Sequence, residues 1–173
     1  MWQFFARLAE RLRPHRDILL FCFRFALYSV VAYVVIFALQ DQVVEPFTRG
    51  IAWVSYELLR IVGASVSLNG VTLALGNFAV SIRTNCNAIY EMALYAAASL
   101  AYPASARQRF TGIGVAIVVL YVVNQVRILS LLWFGRTFPE LFEVGHVYIW
   151  QVLFLLVSAA LWLGWVGRVR PVT

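Results

Sequence analysis

Long apolar runs separated by short polar segments are the dominant pattern along the chain. A helix needs about 20 consecutive apolar residues to cross a membrane. The pattern predicts four membrane-spanning helices, at 18–39, 86–102, 110–134 and 146–166. Ahead of them, residues 1–17 repeat apolar side chains at helical spacing with arginines in between, which predicts an amphipathic helix on the cytoplasmic membrane surface.

The segment between the first two runs, residues 40–85, has a different period. A polar loop at 40–49 leads into 51–62, which is short and carries two charges, so an amphipathic helix in the outer interface is expected. Residues 64–82 are rich in β-branched side chains and contain Asn69-Gly70, which predicts a small β-hairpin or meander outside the membrane.

The predicted fold is an all-α polytopic membrane protein that forms a single domain over residues 1–173. It has about four transmembrane helices, interfacial amphipathic helices and a small extracytoplasmic β-hairpin. Composition supports this class, because 62% of the 173 residues are hydrophobic and only 13% are charged. About a quarter of the residues in a soluble domain are charged.

The charge distribution predicts the orientation in the membrane and argues against a nucleic-acid partner. The net charge is +6, but the arginines are scattered beside the apolar runs and form no single patch. Most lie on one side, which is therefore cytoplasmic: Arg7, Arg11, Arg13, Arg16, Arg107, Arg109, Arg168 and Arg170. Both termini are then inside the cell, and the 40–85 and 135–145 loops are outside.

Three polar residues with complementary chemistry fall at this outer end. Cys86 and His146 begin the second and fourth runs, and Arg127 lies about seven residues below the outer end of the third. A thiolate is a strong nucleophile, and a cation or a helix N-terminus lowers the pKa of its thiol. Histidine can transfer a proton, and arginine can stabilise an oxyanion. Together the three predict a cysteine acyl-transfer site.

Four further polar residues are expected to support this site. Asn85 and Asn87 flank the nucleophile, and Glu91 lies about one turn into the second run. Asn124 precedes Arg127 by nearly one turn, so it can orient the guanidinium or simply hydrogen-bond between helices. Glu91 has an alternative interpretation too, as an ion-pair partner of Arg127 that only fixes helix packing.

Neither a disulfide nor a metal is expected. Cys22 and Cys86 should lie at opposite ends of their runs, about 25–30 Å apart, whereas a disulfide needs Cα atoms within about 7 Å. Two distant cysteines and one histidine on each side of the membrane cannot form a zinc site. No cofactor is predicted.

At these positions the sequence resembles the exosortase/archaeosortase family, most closely the short exosortases of the H type. The resemblance is carried by Asn85-Cys86-Asn87 after the strand-like segment 70–75, by 124–128 around Arg127, and by His146. Many members have Cys-Ser-Gly where this chain has Cys86-Asn87-Ala88.

The resemblance implies a membrane-embedded cysteine transpeptidase of the bacterial cytoplasmic (inner) membrane, with its active site on the periplasmic face. Its substrates would be exported proteins with a C-terminal sorting signal made of a short motif, a transmembrane helix and a basic cluster. Cys86 would form a thioacyl-enzyme that a lipid or glycan acceptor resolves, with His146 as base and acid and Arg127 as oxyanion stabiliser. The 64–82 hairpin could bind the motif by strand addition.

Three other functions remain open from the sequence. A non-enzymatic membrane scaffold or assembly factor would tolerate loss of all three site residues. A small transporter is disfavoured, because no inverted repeat or broken mid-membrane helix is evident. An intramembrane protease that hydrolyses without transfer would differ only in its acceptor.

Overall fold

The computed structural model describes residues 16–169, apart from the side chain of Asn85. The helix predicted at 1–17 therefore lies almost entirely outside the described residues. The described elements are α1 Arg16–Ala38, α2 Glu45–Ile61, β1 Val66–Asn69, β2 Thr72–Leu75, β3 Phe78–Ser81, α3 Ile89–Ala101, α4 Ala106–Thr137 and α5 Trp150–Val166. Short helical turns join them, of which the π-helical Gln40–Val44 and Val144–Ile149 precede α2 and α5.

Within residues 16–169, three helical segments are long and apolar enough to cross a membrane: Arg16–Ala38, Ala106–Thr137 and Pro139–Val166. Helix α3 is apolar but has only 13 residues. At 1.5 Å per residue it is about 20 Å long, whereas the hydrocarbon core is about 30 Å thick. The structure thus supports a helical membrane protein, and the number of four spans stays a prediction.

Helix α2 starts at Glu45, earlier than the amphipathic pattern indicates, so the predicted loop at 40–49 is wrong. Pro46 does not prevent this, because proline in the first helical turn leaves no intrahelical hydrogen bond unmade. One face of α2 is buried, with side chains at the i, i+3, i+4 spacing of an amphipathic helix: Thr48, Ile51, Ala52, Ser55 and Leu59.

The three strands form an antiparallel meander in the order β1-β2-β3. Gly70 and Gly76 lie in its two turns with φ of +61° and +63°, a conformation that glycine adopts without steric cost. Strand β2 is therefore central, and only β1 and β3 have a free edge within the sheet. The meander packs on α2 and α4, with Leu73 and Leu75 in the shared core.

Helix α4 is longer than predicted at both ends, and it has 32 residues. Its start at Ala106 is stabilised by a capping box in which Ser105 and Gln108 each accept a hydrogen bond from the other's backbone N–H. At about 48 Å, α4 is longer than the bilayer core is thick. Helix α4 therefore contacts the sheet nearer its C-terminal end, and it contacts α3 and α5 nearer its N-terminal end.

The second core cluster joins α3, α4 and α5. It includes Met92, Tyr95, Leu120 and Phe154, all buried. Helix α1 packs along α3, where the rings of Tyr33 and Tyr90 stack with centroids 6.0 Å apart. This arrangement brings the start of α3, the C-terminal half of α4 and the segment before α5 together at one end of the bundle.

Candidate active site

Cys86 lies in a tight turn between the sheet and α3. Residues Thr84–Cys86 form one 3₁₀ turn, in which the Cys86 N–H donates to the Arg83 carbonyl at 2.8 Å. Helix α3 begins only at Ile89, so the expectation that Cys86 itself begins the helix is wrong. The chain breaks its helical course at Ala88, whose φ of 64° is left-handed. The predicted supporting role of the Asn85 side chain lies outside what the structure describes.

Asn87 holds this turn against α2. Its side chain is fully buried, and its Nδ2 donates to Thr48 Oγ1 at 2.7 Å. Its Oδ1 accepts the backbone N–H of Ile89 at 3.0 Å, which satisfies one of the donors at the start of α3. Asn87 thus contacts α2 and the backbone of the turn that carries Cys86, and its role in supporting the site stays a prediction. Thr48 is a residue that the sequence reasoning missed.

His146 lies beside Cys86, although 60 residues separate them along the chain. Its Nε2 is 2.8 Å from Cys86 Sγ. The imidazole of His146 also stacks on the ring of Phe142, with centroids 5.6 Å apart and planes 14° apart, and this contact helps to fix its orientation. His146 belongs to the π-helical segment Val144–Ile149, so it does not start a regular helix as predicted. π-Helical turns are frequently found at functional sites.

Arg127 is buried, with only 1% of its surface exposed. Its Nε and Nη1 have no hydrogen-bond partner within residues 16–169, and its guanidinium carbon lies 5.8 Å from the centre of the Phe154 ring. No ion pair joins Arg127 to Glu91 among the described residues, so the packing alternative drawn from the sequence is not supported. A buried cation with unused donors is available to a ligand.

Arg127 and His146 line one cavity of about 440 Å³ together with Glu91 and Gln151. Glu91 is 9% exposed, and Gln151 Nε2 donates to its Oε1 over a long distance of 3.5 Å. Gln151 was not foreseen. Gln151 lies five residues after His146. In a regular α-helix residues at this spacing point to different faces, but the wider π-helical turn brings the two side chains closer to one face.

Asn124 is buried near this region but makes no predicted contact. Neither its Oδ1 nor its Nδ2 has a hydrogen-bond partner within the described residues. The structure thus shows neither the bond that would orient Arg127 nor a hydrogen bond to another helix.

Burial decides the acidity of the nucleophile. It raises the pKa of the Cys86 thiol above its ordinary value, and the nearby charge of Arg127 opposes this effect only in part. The sequence reasoning expected the reverse balance, with a cation and a helix N-terminus lowering this pKa. Because burial raises this pKa, the thiol is harder to deprotonate than an ordinary cysteine, and a base in contact with it would favour the thiolate. His146 is in that position.

Within the described structure the two cysteines form no disulfide with each other. Cys22 is exposed on α1, whereas Cys86 is half-buried in the site. This difference makes Cys22 a suitable internal control for experiments on Cys86.

Comparison with known proteins gives one family match. The model of the family described as transmembrane exosortase (Exosortase_EpsH) matches residues 17–164. No curated protein matches the chain, and no solved structure matches it. The family match confirms the resemblance drawn from Cys86, Arg127 and His146.

Proposed function

Because the chain belongs to the transmembrane exosortase family, we propose that it is a membrane-embedded cysteine transpeptidase. It cleaves the C-terminal sorting signals of exported proteins through a thioacyl-enzyme and transfers the new C-terminus to an acceptor. The observation that supports this best is the 2.8 Å contact between Cys86 Sγ and His146 Nε2. A nucleophile and a base within hydrogen-bond reach are the signature of covalent acyl transfer.

In the first step His146 Nε2 takes the Cys86 proton, and the thiolate sulfur attacks the carbonyl carbon of the scissile peptide bond. The carbonyl electron pair moves to oxygen and forms a tetrahedral oxyanion. Collapse of this intermediate breaks the C–N bond, and His146 returns its proton to the leaving amine. The products are a thioester on Cys86 and the released tail.

In the second step the hydroxyl or amine of an acceptor attacks the thioester carbonyl. His146 takes the acceptor's proton, and the C–S bond breaks to regenerate the thiolate, which recovers the proton. A lipid or glycan component is the acceptor class that the family implies. Water in its place would make the same site a protease.

Arg127 supports this chemistry as the cation for the oxyanion. Its buried guanidinium lines the cavity with His146, and two of its nitrogens have no partner among residues 16–169. In a site that excludes water, one such donor contributes about 10²–10³ in rate. Phe154 keeps the guanidinium in place through its ring face.

The cavity suits a substrate that arrives within the membrane. Its wall away from Arg127 includes Leu94, Val152 and Leu155, and all three are exposed apolar residues on α3 and α5. The transmembrane helix of a sorting signal would pack on this wall and bring its scissile bond to Cys86. On this proposal the site faces the periplasm, both termini are cytoplasmic, and the inner membrane is the location.

Strand addition by the recognition motif can use only β1 or β3. Within the predicted 64–82 hairpin, the central strand β2 is paired on both sides and so has no free edge. Proline at an edge position such as Ser67 in β1 is therefore the informative substitution.

The test is co-expression with a tagged reporter that carries a motif, a transmembrane helix and an arginine cluster at its C-terminus. We expect the wild type and the Cys22→Ala variant to remove the tail, and Cys86→Ala to leave it intact. Hydroxylamine should release the reporter as a hydroxamate from the wild type and from Cys22→Ala but not from Cys86→Ala, because it attacks a thioester.

Two outcomes would decide for other functions. Full processing by Cys86→Ala, Arg127→Ala and His146→Ala would reject catalysis and favour a scaffold or assembly factor. A hydroxamate together with a product that carries only a free carboxylate would identify a protease without transfer.

A further inference from the structure

A second cavity, of about 650 Å³, lies far from the candidate active site. It is formed between the start of α4 and the end of α5, and Tyr95 of α3 contributes to its wall. Arg107 at its rim and Arg127 in the active site lie on the same helix, 20 residues and about 30 Å apart. This cavity is therefore at the opposite end of the bundle, the end that the arginine distribution predicts to be cytoplasmic.

The rim of the cavity carries positive charge. Arg107 lines it from the first turn of α4 and Arg168 from the turn that follows α5, and no carboxylate is among the lining residues that the structure describes. Neither arginine forms an ion pair with a carboxylate within residues 16–169. Arg168 donates one N–H, at Nη1, to the Gly164 carbonyl at 2.7 Å, and because a guanidinium has five N–H donors, others can still contact an anion. Arg109 donates its Nε to the Tyr102 carbonyl at 3.1 Å and is not part of the lining. Within residues 16–169, two cations thus lie at one opening and no carboxylate lines it.

The inner wall is apolar and its shape depends on Trp165. This side chain packs so closely on Gly112 that an added Cβ would lie 2.2 Å from Trp165 Nε1, and the indole N–H donates to the Gln108 carbonyl at 3.2 Å. Tyr102 packs edge-on against Trp165 with centroids 5.7 Å apart. Aromatic rings with one polar atom are typical of the headgroup level of a membrane. The cavity therefore combines a cationic rim at headgroup depth with an apolar interior.

We propose that this cavity binds one anionic phospholipid. The headgroup phosphate contacts Arg107 and Arg168, and an acyl chain packs along Val115 and Leu161. A free phosphate would satisfy the arginines but leave the apolar wall unused. A basic peptide, such as the cluster at the end of a sorting signal, is repelled by the rim. This inference does not depend on the proposed transpeptidase activity, since it concerns a separate site and is read out by binding.

The test is lipid titration of the purified full-length protein in neutral detergent, followed by native mass spectrometry and by the thermal unfolding midpoint. The probes are dioleoyl phosphatidylglycerol, dioleoyl phosphatidylcholine and inorganic phosphate. We expect a 1:1 complex and a raised midpoint with phosphatidylglycerol only. Equal binding of the two lipids, or an equal effect of phosphate alone, would overturn the proposal.

Variants locate the site. Near a membrane surface each arginine is expected to strengthen binding of an anionic lipid about five-fold, so Arg107→Gln with Arg168→Gln should weaken it about 25-fold. Arg16→Gln is the matched control, because Arg16 is exposed on α1 and outside the cavity. If Arg16→Gln weakened binding as much as either rim variant did, the lipid would be held by diffuse surface charge and the proposal would fail.

A second pair of variants tests the apolar part of the site. Val115 and Val118 are 58% and 64% exposed on the same helix, but only Val115 lines the cavity. Val115→Trp should fill the path of the acyl chain and weaken phosphatidylglycerol binding at least ten-fold, whereas Val118→Trp should not change it. Equal binding by both tryptophan variants would contradict the proposed position of the chain.

Discussion

Replacing Arg127 by methionine separates a catalytic role of this residue from a structural one. Methionine is of similar length, carries no charge and adapts to irregular cavities. In the native protein only 1% of the surface of Arg127 is exposed. Two nitrogens of its guanidinium lack a hydrogen-bond partner among residues 16–169. Its guanidinium carbon lies 5.8 Å from the centre of the Phe154 ring.

The expected change in stability follows from these contacts. Burying an ion costs several kcal/mol even after relaxation, and replacing buried charges by apolar groups often stabilises a protein by about 1–4 kcal/mol. The cation–π contact with Phe154 offsets only about 0.5–2 kcal/mol of this cost. We therefore expect Arg127→Met to raise the free energy of unfolding by about 1–2 kcal/mol. The same variant should lose about 10²–10³ in cleavage rate.

Stability is measured by reversible unfolding in mixed micelles of increasing dodecyl sulfate content, and activity by single-turnover cleavage of the tagged reporter. Arg136→Met is the matched control, because it removes an exposed arginine from the same helix. A fall of more than about 2 kcal/mol in unfolding free energy would refute the reasoning, since breaking a buried ion pair costs about 3–5 kcal/mol. A double-mutant cycle with Glu91→Gln should give a coupling below about 0.5 kcal/mol.

Three further predictions concern the turn that carries the nucleophile. Burial raises the pKa of the Cys86 thiol and Arg127 lowers it, so in a Cys22→Ala background the rate of alkylation by iodoacetamide should rise with pH to a midpoint above the ordinary pKa of a cysteine. Arg127→Met should move this midpoint higher still. A midpoint below the ordinary cysteine pKa contradicts this prediction. Thr48→Val leaves Nδ2 of the buried Asn87 without its acceptor, so it should destabilise the protein by about 1–3 kcal/mol in micelle unfolding, whereas Thr48→Ser should not. Ala88→Val puts a β-branched side chain at a left-handed position, so it should lower both the unfolding midpoint and the cleavage rate. Ala88→Gly relieves about 1–2 kcal/mol of backbone strain but loses a buried methyl group, so it should leave both quantities nearly unchanged.

Ala88 stands where the resemblance drawn from the sequence implies a glycine in many members, two residues after the cysteine. The structure gives this position a left-handed φ of 64°. Glycine adopts this left-handed conformation without steric cost, whereas the Cβ of alanine is strained in it. The sequence shows the substitution, but only the fold shows which conformation it must accept.

Several site features depend on contacts that no local pattern reveals. Phe142 stacks on His146, and Gln151 hydrogen-bonds to Glu91. Both residues lie just outside the π-helical segment Val144–Ile149, whose period differs from the one assumed for a regular span. The absence of an Arg127–Glu91 ion pair within the described residues depends on the rotation of two helices about their axes. Residue depth, counted at 1.5 Å per residue, contains no information on that rotation.

The sequence by itself determined the helical membrane class, the small sheet and the family, and it selected Cys86, Arg127 and His146 as candidates. Hydrophobic periodicity and rare polar residues in apolar runs are local properties, so they can be read without coordinates. Tertiary structure decided that Cys86 Sγ and His146 Nε2 are 2.8 Å apart and that burial, against Arg127, raises the pKa of the thiol. Both results depend on how segments 60 residues apart pack together, because distance and desolvation are properties of the packed chain.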